Sequence, residues 1–572
     1  MDANPQLGGT LRYYGPGGMD HVDPAAAYYT FSHQMLRLFT RQLFSYPTAL
    51  DESALHPVPD LAREMPTRSN GGISEDGLRY TITLRPGVYW DTQTPREVTA
   101  HDVVRGFKRM CNPVATAGAL SFYTTTIAGM ADFAAGYREA FPDPSSATAS
   151  ALADFQNRFD IKGLKALDEW TLTIELLRPA NDMVNVLAMI FASAAPVEYD
   201  EYIPDSPELI RNIRSCGPYR LTDYRPGHSL RMERNPVWRQ ETDDVRHQYI
   251  DAIEVEMEQV SDEQVRAKIQ SGGADLSWGA PIISRDRQVL DSDRRLGYAL
   301  NPYLVFNLHS PNAGGAMQNI EVRRAIAYAI NKASMVGILD KMDIGTTTVP
   351  ANTAIPFGNV GHREYNPYPT PGDRGDPQRS RALLAEAGYG DGLKLRALYR
   401  DDTPHDELAE AYAADLRAVG IDVELVFAGP ADAYYRTLQD PDRARAGDWD
   451  ISAPAWMPDW WGNNGRVYLQ PMFQSGFVHG TSNYGGYQNP EVDRLIEAAL
   501  EARDESQADE LWHEVDRRVL DDVAIVPVLA CEPTIPHMMS ARVRNGMPMP
   551  HIDRWIDASH LWLDQPEAAH AR

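Results

Sequence analysis

Asp76–Trp90 reads DGLRYTITLRPGVYW, and Val98–Val104 follows with VTAHDVV. In the first segment the apolar residues Tyr80, Ile82 and Leu84 alternate with arginines and threonines. Alternation with a period of two places one face of a strand on a core and the other in water, as in an antiparallel sheet. The segment is therefore predicted to form a half-buried strand of such a sheet.

A helix is predicted directly after this strand, because Thr99 is a favourable N-cap and Asp102 follows three residues later. The stretch 170–176 repeats the alternation of apolar and polar residues and predicts a second strand. We therefore expect the first 180 residues to be α+β. The apolar face of the predicted helix consists of Val103, Val104, Phe107 and Cys111.

The middle of the chain has a strand–helix–strand pattern. Apolar residues alternate over 393–399 and again over 421–427, and an apolar stripe at 322–330 has helical spacing. The helix between the two strands is predicted to start near Pro404 and to end at Gly420, a residue typical of the C′ position. Such a unit usually forms a right-handed parallel crossover. We therefore predict a mixed α/β and α+β fold.

Composition and charge exclude several classes of protein. The 572 residues are 43% apolar and 23% charged, as in soluble globular proteins of two to four domains. The longest apolar runs, Val186–Ala192 and Ala524–Cys531, are much shorter than a membrane-spanning helix. The net charge is −26 and no basic stripe is present, so binding to nucleic acid is not expected.

Catalytic motifs are absent from the sequence. It has no G-x-S-x-G elbow, no Walker loop and no G-x-G-x-x-G fingerprint. Its fifteen histidines are scattered, and no cluster of His or Met indicates a metal site. We therefore predict no catalytic residue, no cofactor and no metal. A secreted hydrolase that uses scattered carboxylates is the alternative class.

One loop concentrates aromatic side chains. Ala455–Gly465 reads AWMPDWWGNNG, so three of the eleven tryptophans fall within six residues, around Asp459. Two interpretations are open. In the first, the tryptophans pack the loop into the core. In the second, they form the wall of a ligand site in which the carboxylate binds a cation.

Further motifs resemble those of a known family. Cys216–Tyr219 reads CGPY, Arg234–Pro236 reads RNP, and Glu321–Lys332 reads EVRRAIAYAINK. Together with Asp76–Trp90 and Val98–Val104, they resemble motifs of the extracellular solute-binding proteins of ABC importers. The similarity is strongest to the peptide/nickel class, which includes dipeptide- and oligopeptide-binding proteins, and it extends over nearly the whole chain.

The resemblance implies a two-lobed, hinged fold that closes on its ligand and carries an extra subdomain in the first lobe. It also implies that Ala524–Leu563, with the apolar strand near Ile525, returns to the first lobe. The implied divisions are 1–45, 165–300 and 524–572 for the core of the first lobe, 46–164 for the extra subdomain, and 301–523 for the second lobe.

The resemblance also implies a ligand site. In peptide-binding relatives, an Asp in a W-x-x-D loop binds the α-ammonium group of the ligand, and Trp456–Asp459 has that spacing. Asp459 is therefore the expected main contact, with Trp456 and Trp460 beside it. Packing in the core is the alternative for the remaining implied contacts. These are Tyr28, Tyr29 and Thr30 after the Asp23-Pro24 pair, Trp278 after the turn at Gly272, and Tyr123.

The expected ligand is a di- or oligopeptide held in extended form by main-chain groups. Oligosaccharides, which could stack on the tryptophans, are alternatives, as are opines and nickel or haem complexes. The implied partner is an ABC permease in the membrane. The implied location of this expected monomer is extracytoplasmic, as a periplasmic protein or cell-surface lipoprotein. Residues 1–5 do not begin a signal peptide, as expected either for a cytosolic protein or for a trimmed mature form. The resemblance to extracytoplasmic proteins implies the trimmed form.

The three cysteines do not form a C-x-x-C pair, so zinc binding and thioredoxin-like chemistry are not expected. Cys111 ends the predicted helix, and Cys216 lies in the G-P-Y turn that re-enters the implied first lobe. We expect these two to form a disulfide, with Cys531 left as a buried free thiol. Three buried free thiols are the alternative.

Overall fold

The computed structural model divides the chain into two compact units. The first comprises Met1–Ser292 and Thr534–Arg572, and the second comprises Asp293–Pro533. The described residues are 4–27, 30–49, 51–115, 120–278, 297–342, 348–400, 404–429, 431–463, 465–476, 481–531, 538–546 and 555–564.

The described residues form the following strands and helices. The strands are β1 (Thr10–Gly15), β2 (Phe44–Ser45), β3 (Val58–Pro59), β4 (Arg79–Thr83), β5 (Tyr89–Trp90), β6 (Arg96–Glu97), β7 (Leu164–Ala166), β8 (Thr171–Glu175), β9 (Tyr219–Arg225), β10 (Ser229–Arg234), β11 (Ala252–Met257), β12 (Leu276–Ser277), β13 (Ala299–Leu300), β14 (Tyr303–Phe306), β15 (Thr348–Pro350), β16 (Leu393–Tyr399), β17 (Ile421–Phe427), β18 (Ile451–Ser452), β19 (Ile525–Pro527), β20 (Leu529–Cys531), β21 (Val543–Arg544) and β22 (Trp562–Leu563). The helices are α1 (Thr30–Leu36), α2 (Ala100–Met110), α3 (Leu120–Thr124), α4 (Met130–Ala140), α5 (Ala149–Arg158), α6 (Met183–Ala188), α7 (Pro207–Ile210), α8 (Asp262–Gln270), α9 (Ile320–Ala329), α10 (Lys332–Met342), α11 (Pro377–Glu386), α12 (His405–Ala418), α13 (Ala431–Leu438), α14 (Pro441–Arg445), α15 (Gly465–Phe473), α16 (Pro490–Leu500) and α17 (Glu505–Asp521).

A five-stranded sheet in the order β12-β1-β11-β10-β9 forms the main sheet of the first unit. β1 pairs in parallel with β11, with Thr10 opposite Ala252, and also in parallel with β12. β9, β10 and β11 are antiparallel neighbours. Because β1, β11 and β12 run in one direction, the loops after Gly15, Met257 and Ser277 leave the sheet at the same edge.

The alternating stretch near residue 80 forms the antiparallel strand that its pattern predicts. β4 pairs with β8, which places Tyr80 opposite Ile174 and Ile82 opposite Leu172. These four side chains are buried, whereas Arg79 at the start of the strand is exposed. The prediction of an antiparallel sheet with one buried face is therefore confirmed.

Helix α2 begins where the capping pattern places it. The Asp102 carboxylate accepts a hydrogen bond from the backbone N–H of Thr99 at 2.9 Å, as in a capping box. Two guanidinium nitrogens of Arg96 donate to the same carboxylate, each at 2.9 Å. Because Asp102 is buried, these bonds fix the start of α2 to the interior of the unit.

A buried charge network joins distant parts of the first unit. Arg41 Nε lies 2.6 Å from Asp60 Oδ1, and Arg246 Nη2 lies 2.7 Å from Asp60 Oδ2. Arg246 Nη1 also lies 3.2 Å from Asp243 Oδ2. Burial alone would raise the pKa of Asp243, but Arg246 and Arg41 lower it to about 2. Removal of one partner would leave an uncompensated buried charge.

The second unit has a five-stranded sheet in the order β17-β16-β18-β14-β19. β16 pairs in parallel with β17, with Leu393 opposite Ile421, and in parallel with β18. Helix α12 connects β16 to β17, and Gly420 follows its end with a φ of +96°. The predicted strand–helix–strand unit, its parallel pairing and the C′ glycine are confirmed.

Two large apolar clusters lie on opposite faces of this sheet. Tyr303 and Val305 of β14 belong to one cluster, and Leu304 and Phe306 belong to the other. Helix α9, predicted from its apolar stripe, contributes Ile326 to the second cluster. A sheet covered on both faces is typical of the α/β class predicted for this part of the chain.

The C-terminal apolar strand belongs to the second unit. β19 pairs with β14, with Leu304 opposite Val526, and β20 pairs with β13 and β15. The expectation that the strand near Ile525 returns to the first lobe is therefore wrong. The physical reason is the free edge of β14, whose fully apolar strand accepts β19 as a neighbour. Residues 293–300 also belong to this unit rather than to the first.

The rest of the C-terminal segment groups with the first unit. Arg542 Nε lies 2.6 Å from Asp275 Oδ1, and Arg37 Nε lies 2.9 Å from Asp557 Oδ2. Both contacts link residues after Thr534 to the N-terminal part of the chain. A separate subdomain at 46–164 stays a prediction, because these residues fall within the first unit without a further division.

The three cysteines are free and buried, so the predicted Cys111–Cys216 disulfide is wrong. The Cys111 thiol instead donates to the Phe107 carbonyl within its own helix, at 3.6 Å. Burial raises the pKa of the Cys111 and Cys216 thiols to about 12. Cys531 is a buried free thiol in an apolar strand, as predicted.

Candidate ligand-binding site

The tryptophan loop begins at the carboxyl end of β18. Because β16 and β18 run parallel, Arg400 after β16 and residues 453–463 after β18 leave the sheet at the same edge. In open α/β sheets, ligands bind beyond the carboxyl ends of the strands. This edge of the second unit is therefore the candidate ligand-binding site.

The first residues of the loop are held by main-chain hydrogen bonds. The Trp456 N–H donates to the Leu300 carbonyl at 2.8 Å, and the Leu300 N–H donates to the Trp456 carbonyl at 3.1 Å. The Tyr303 N–H donates to the Pro454 carbonyl at 3.0 Å. The base of the loop is thus an extended segment paired with the chain that leads into β14.

Asp459 is half-buried, between the 40%-exposed Met457 and the buried Trp460. The Trp456 ring is also half-buried, and its indole N–H donates to the Val467 carbonyl at 2.9 Å. This bond uses the only polar atom of the side chain and fixes the orientation of the ring. The loop thus combines a fixed aromatic face with a carboxylate, as the ligand-wall interpretation requires.

The two tryptophans after Asp459 are buried. Trp460 and Trp461 are each 2% exposed, and the Trp460 indole N–H donates to the Asn463 carbonyl at 3.3 Å. Gly297 has a φ of +69°, and a Cβ at this position would lie 2.8 Å from Trp461 Cζ3. At these two positions the structure has packed rings rather than an open stacking platform. These contacts favour the packing interpretation for Trp460.

A polar cluster that the sequence did not predict lies beside the loop. The Arg400 guanidinium stands 5.6 Å above the Tyr434 ring and 5.3 Å above the Tyr435 ring, and it contacts His405 Nε2. Burial, together with the charge of Arg400, lowers the pKa of His405 to about 3, so the imidazole is neutral at pH 7. The signal for this cluster was available, since Arg400 directly follows the predicted strand 393–399.

Trp278 lies at the carboxyl edge of the sheet in the first unit, directly after β12. It is fully buried, and its indole N–H donates to the Gly17 carbonyl at 2.8 Å. Its ring meets the rings of Tyr13 and Phe31 at 5.8 and 5.0 Å between centroids. Trp278 thus packs under the loop that leads to the predicted contacts at 28–30.

Three predicted contacts fall outside the described part of the site, and one has a packing role. Tyr28 and Tyr29 lie outside the described residues, as does the side chain of Thr30, the first residue of α1. Tyr123 is fully buried, and its hydroxyl donates to the Val186 carbonyl at 2.9 Å. These contacts favour the packing alternative for Tyr123.

Neither a metal site nor a membrane span is found in the part of the chain that the structure describes. In it, no group of three or more His, Cys, Asp or Glu side chains is arranged to hold a metal ion. Nor does that part contain a helix both long enough and apolar enough to cross a membrane.

Comparison with known proteins identifies the family. The sequence profile of "Bacterial extracellular solute-binding proteins, family 5 Middle" matches residues 56–476, more than half of the chain. The chain belongs to this family. The match includes Asp76–Trp90 and the Trp456–Asp459 loop, so the resemblance inferred from these motifs is confirmed.

Individual members of the family are distant in sequence but similar over most of their length. Heme-binding protein A of Haemophilus influenzae is 25% identical over 475 residues, which cover 80% of this chain and 77% of the relative. The periplasmic oligopeptide-binding protein OppA of Salmonella typhimurium is 24% identical over 488 residues, covering 83% and 79%. Both relatives are binding proteins, in agreement with the description of the family.

Solved structures share the fold of the whole chain. Clavulanic acid biosynthesis oligopeptide binding protein 2 has a TM-score of 0.79 at 24% identity, covering 98% of this chain and 97% of its own. DppA from Helicobacter pylori, in complex with the peptide STSA, has a TM-score of 0.67 at 19% identity, covering 98% and 99%. These similarities confirm the predicted mixed fold of a solute-binding protein.

Proposed function

We propose that this family member is the extracytoplasmic substrate-binding component of an ABC importer and that it binds a di- or oligopeptide. The α-ammonium group of the peptide is bound by Asp459. The observation that carries the proposal is the position of the W-x-x-D loop, directly after β18 at the carboxyl edge of the second unit. OppA and the Helicobacter DppA, named above, bind peptides and support the ligand class.

The chemistry of the loop suits an ammonium group. A carboxylate accepts charge-assisted hydrogen bonds from an ammonium, which are about twice as strong as those between neutral groups. Asp459 is half-buried, so its attraction to a cation is less screened than at an open surface. Trp456 provides an apolar wall whose orientation is fixed by its bond to Val467.

The other predicted ligand contacts are residues of the first unit. We infer that residues 28–30 contact the ligand and that the fully buried Trp278 supports the loop before them. Trp460 and Tyr123 are assigned packing roles because of their burial. The ligand is released to a membrane permease without chemical change, and the protein acts outside the cytoplasmic membrane, in the periplasm or as a lipoprotein.

Calorimetry with matched peptides tests the proposal. Asp459→Asn should weaken binding of a free-amine peptide at least about tenfold, because a hydrogen bond to a charged group contributes about 1.5–3 kcal/mol and ~1.4 kcal/mol is one decade of affinity. N-acetylation of the peptide should weaken binding to the unchanged protein to a similar extent. The protein should leave the peptide intact.

Asp391→Asn is the control, since Asp391 is an exposed residue of the same unit and the substitution removes the same charge. It should leave affinity unchanged. Equal affinity for the free and acetylated peptides would contradict the amine-binding role of Asp459. Binding of sugars, opines or metal complexes in place of peptides would contradict the proposed ligand class, and release of peptide fragments would reassign the protein to the hydrolases.

A further inference from the structure

We propose that Tyr435 is the positioning residue of the W-x-x-D loop. Its hydroxyl group accepts a hydrogen bond from the Ala455 N–H at 3.2 Å and donates to the Ala455 carbonyl at 3.4 Å. Ala455 immediately precedes Trp456, the first residue of the motif. The link between this contact and ligand affinity rests on the function proposed above for Asp459.

The two sides of the loop base are held by different groups. Pro454 and Trp456 use their main-chain groups to pair with Tyr303 and Leu300. In an extended segment the main-chain groups of successive residues point to opposite sides, so those of Ala455 point away from this pairing. Tyr435 supplies their hydrogen bonds with a single hydroxyl. The hydroxyl thus takes the place of a neighbouring strand, which would otherwise bond to the Ala455 N–H and carbonyl.

The ring of Tyr435 is held independently of its hydroxyl. Its centroid lies 5.1 Å from the Tyr434 ring, at an angle of 78°, and 6.2 Å from the Tyr484 ring. The Arg400 guanidinium covers it at 5.3 Å. Because these contacts involve the ring alone, Tyr435→Phe removes the two bonds to Ala455 and keeps the packing.

Tyr434 offers a matched control. It is the adjacent tyrosine on α13, and its ring also lies under Arg400. Its hydroxyl bonds to Ser452 Oγ at 2.6 Å, and Ser452 Oγ donates to the Leu398 carbonyl at 2.9 Å. The Tyr434 hydroxyl therefore supports the strands β16 and β18, whereas the Tyr435 hydroxyl supports the loop.

Hydrogen exchange distinguishes the two roles without a ligand. In Tyr435→Phe, the amide hydrogens of residues 455–463 should exchange faster than in the unchanged protein, by about three- to tenfold. In Tyr434→Phe, any acceleration should fall on residues of β16 and β18 and leave the loop as it was. Equal exchange of the loop in the two variants would overturn the proposal.

Calorimetry then links the loop to the ligand. The unchanged protein should bind a free-amine peptide more tightly than its N-acetylated form. Tyr435→Phe should reduce this ratio about three- to tenfold, whereas Tyr434→Phe should preserve it even where it lowers the melting temperature. An unchanged ratio in Tyr435→Phe would overturn the positioning role in amine binding.

The two proposals can fail separately. If the unchanged protein does not distinguish the two peptides, the amine-binding function of Asp459 is wrong. The positioning role of Tyr435 is then decided by hydrogen exchange alone. Faster exchange confined to 455–463 in Tyr435→Phe supports it, and unaltered exchange overturns it.

Discussion

Asp516 is a carboxylate inside the second unit. It is 3% exposed, and it accepts hydrogen bonds from the N–H groups of Ala354 at 3.0 Å and Ile355 at 3.3 Å. Burial disfavours the charged form and raises the pKa of Asp516 from 3.8 to about 6, although the two N–H groups act in the opposite direction. Asp516 therefore links α17 to the loop after β15, and its contribution to the free energy of unfolding depends on pH.

The sign of this dependence follows from proton binding. The folded protein binds the Asp516 proton more tightly than the unfolded chain, so the group contributes stability below about pH 4. That contribution is lost as the pH rises through 6, and it amounts to about 3 kcal/mol. Urea unfolding from pH 4 to 7 should show this loss in the unchanged protein and in the control Asp391→Asn. Asp516→Asn should lack it, and an identical pH profile in Asp516→Asn would contradict the assignment.

At the scale of single residues, the sequence predicts best where partners are close in the chain. Thr99 and Asp102 form their capping contact as expected because only three residues separate them. Trp460 was predicted to lie beside Asp459 in the ligand site, and packing of Trp460 and Trp461 in the core was the alternative, since an aromatic loop is compatible with both. Their burial was decided by neighbours such as Gly297, more than 160 residues away in sequence.

At the scale of elements, Gly106 allows helix α2 to pack closely on main chain. A Cβ at Gly106 would lie 2.0 Å from the Ser193 carbonyl oxygen, whereas a Cβ at Gly136 in α4 would meet only Phe155 Cζ, at 3.9 Å. The Ser193 oxygen belongs to the backbone and cannot rotate away. The same substitution should therefore have opposite effects in the two helices.

Gly106→Ala should lower the free energy of unfolding by about 1–3 kcal/mol, because the helix must move to relieve the overlap. Gly136→Ala should raise it by up to about 1 kcal/mol, since alanine is the better helix former and the space is open. Urea unfolding of both variants measures the difference. A similar change in the free energy of unfolding of both variants would show that α2 can move away from Ser193 with little loss of stability.

The strands show the same division between local and distant information. The alternation at 393–399 and 421–427 predicted two strands, and the helix between them predicted their parallel pairing. The apolar stretch at Ile525–Pro527 was correctly predicted to be a strand. Its partner was predicted to lie in the first lobe, but the strand pairs with β14 of the second unit. An apolar strand can pair with any free apolar edge of a sheet. Its own sequence therefore does not specify which strand becomes its neighbour.

At the scale of the whole molecule, the two units differ in how the chain builds them. The second unit is one continuous segment, Asp293–Pro533, and the described residues of its two apolar clusters all lie within 298–531. The first unit needs two segments. Its C-terminal segment supplies Asp557 to Arg37 and Arg542 to Asp275.

A chain of residues 293–533 expressed alone should therefore fold, with a cooperative thermal transition in near-ultraviolet circular dichroism. Residues 1–292 alone should not, because Arg37 would be left as a buried cation without Asp557. Fusion of the segment 534–572 to the end of residues 1–292 should restore a cooperative transition. Failure of 293–533 to unfold cooperatively would mean that its clusters need the first unit.

The sequence alone determined several of the elements, the fold class and the family. Period-two alternation, capping residues and the C′ glycine involve residues that are only a few positions apart. Such local patterns can be recognised directly in the sequence. The motifs near residues 80, 217 and 325 identified the family in the same way, because they are contiguous. The W-x-x-D loop was found by its three tryptophans, and its spacing resembles that of a loop in peptide-binding relatives.

Only the tertiary structure decided which distant groups meet. The partner of β19, the burial of the three cysteines as free thiols, and the network of Arg41, Asp60 and Arg246 depend on how the elements pack. So does the contact of the Tyr435 hydroxyl with Ala455, because it joins α13 to a loop 20 residues further along the chain. Packing selects one arrangement by burying the most apolar surface while satisfying buried polar groups, and this is a property of the whole chain.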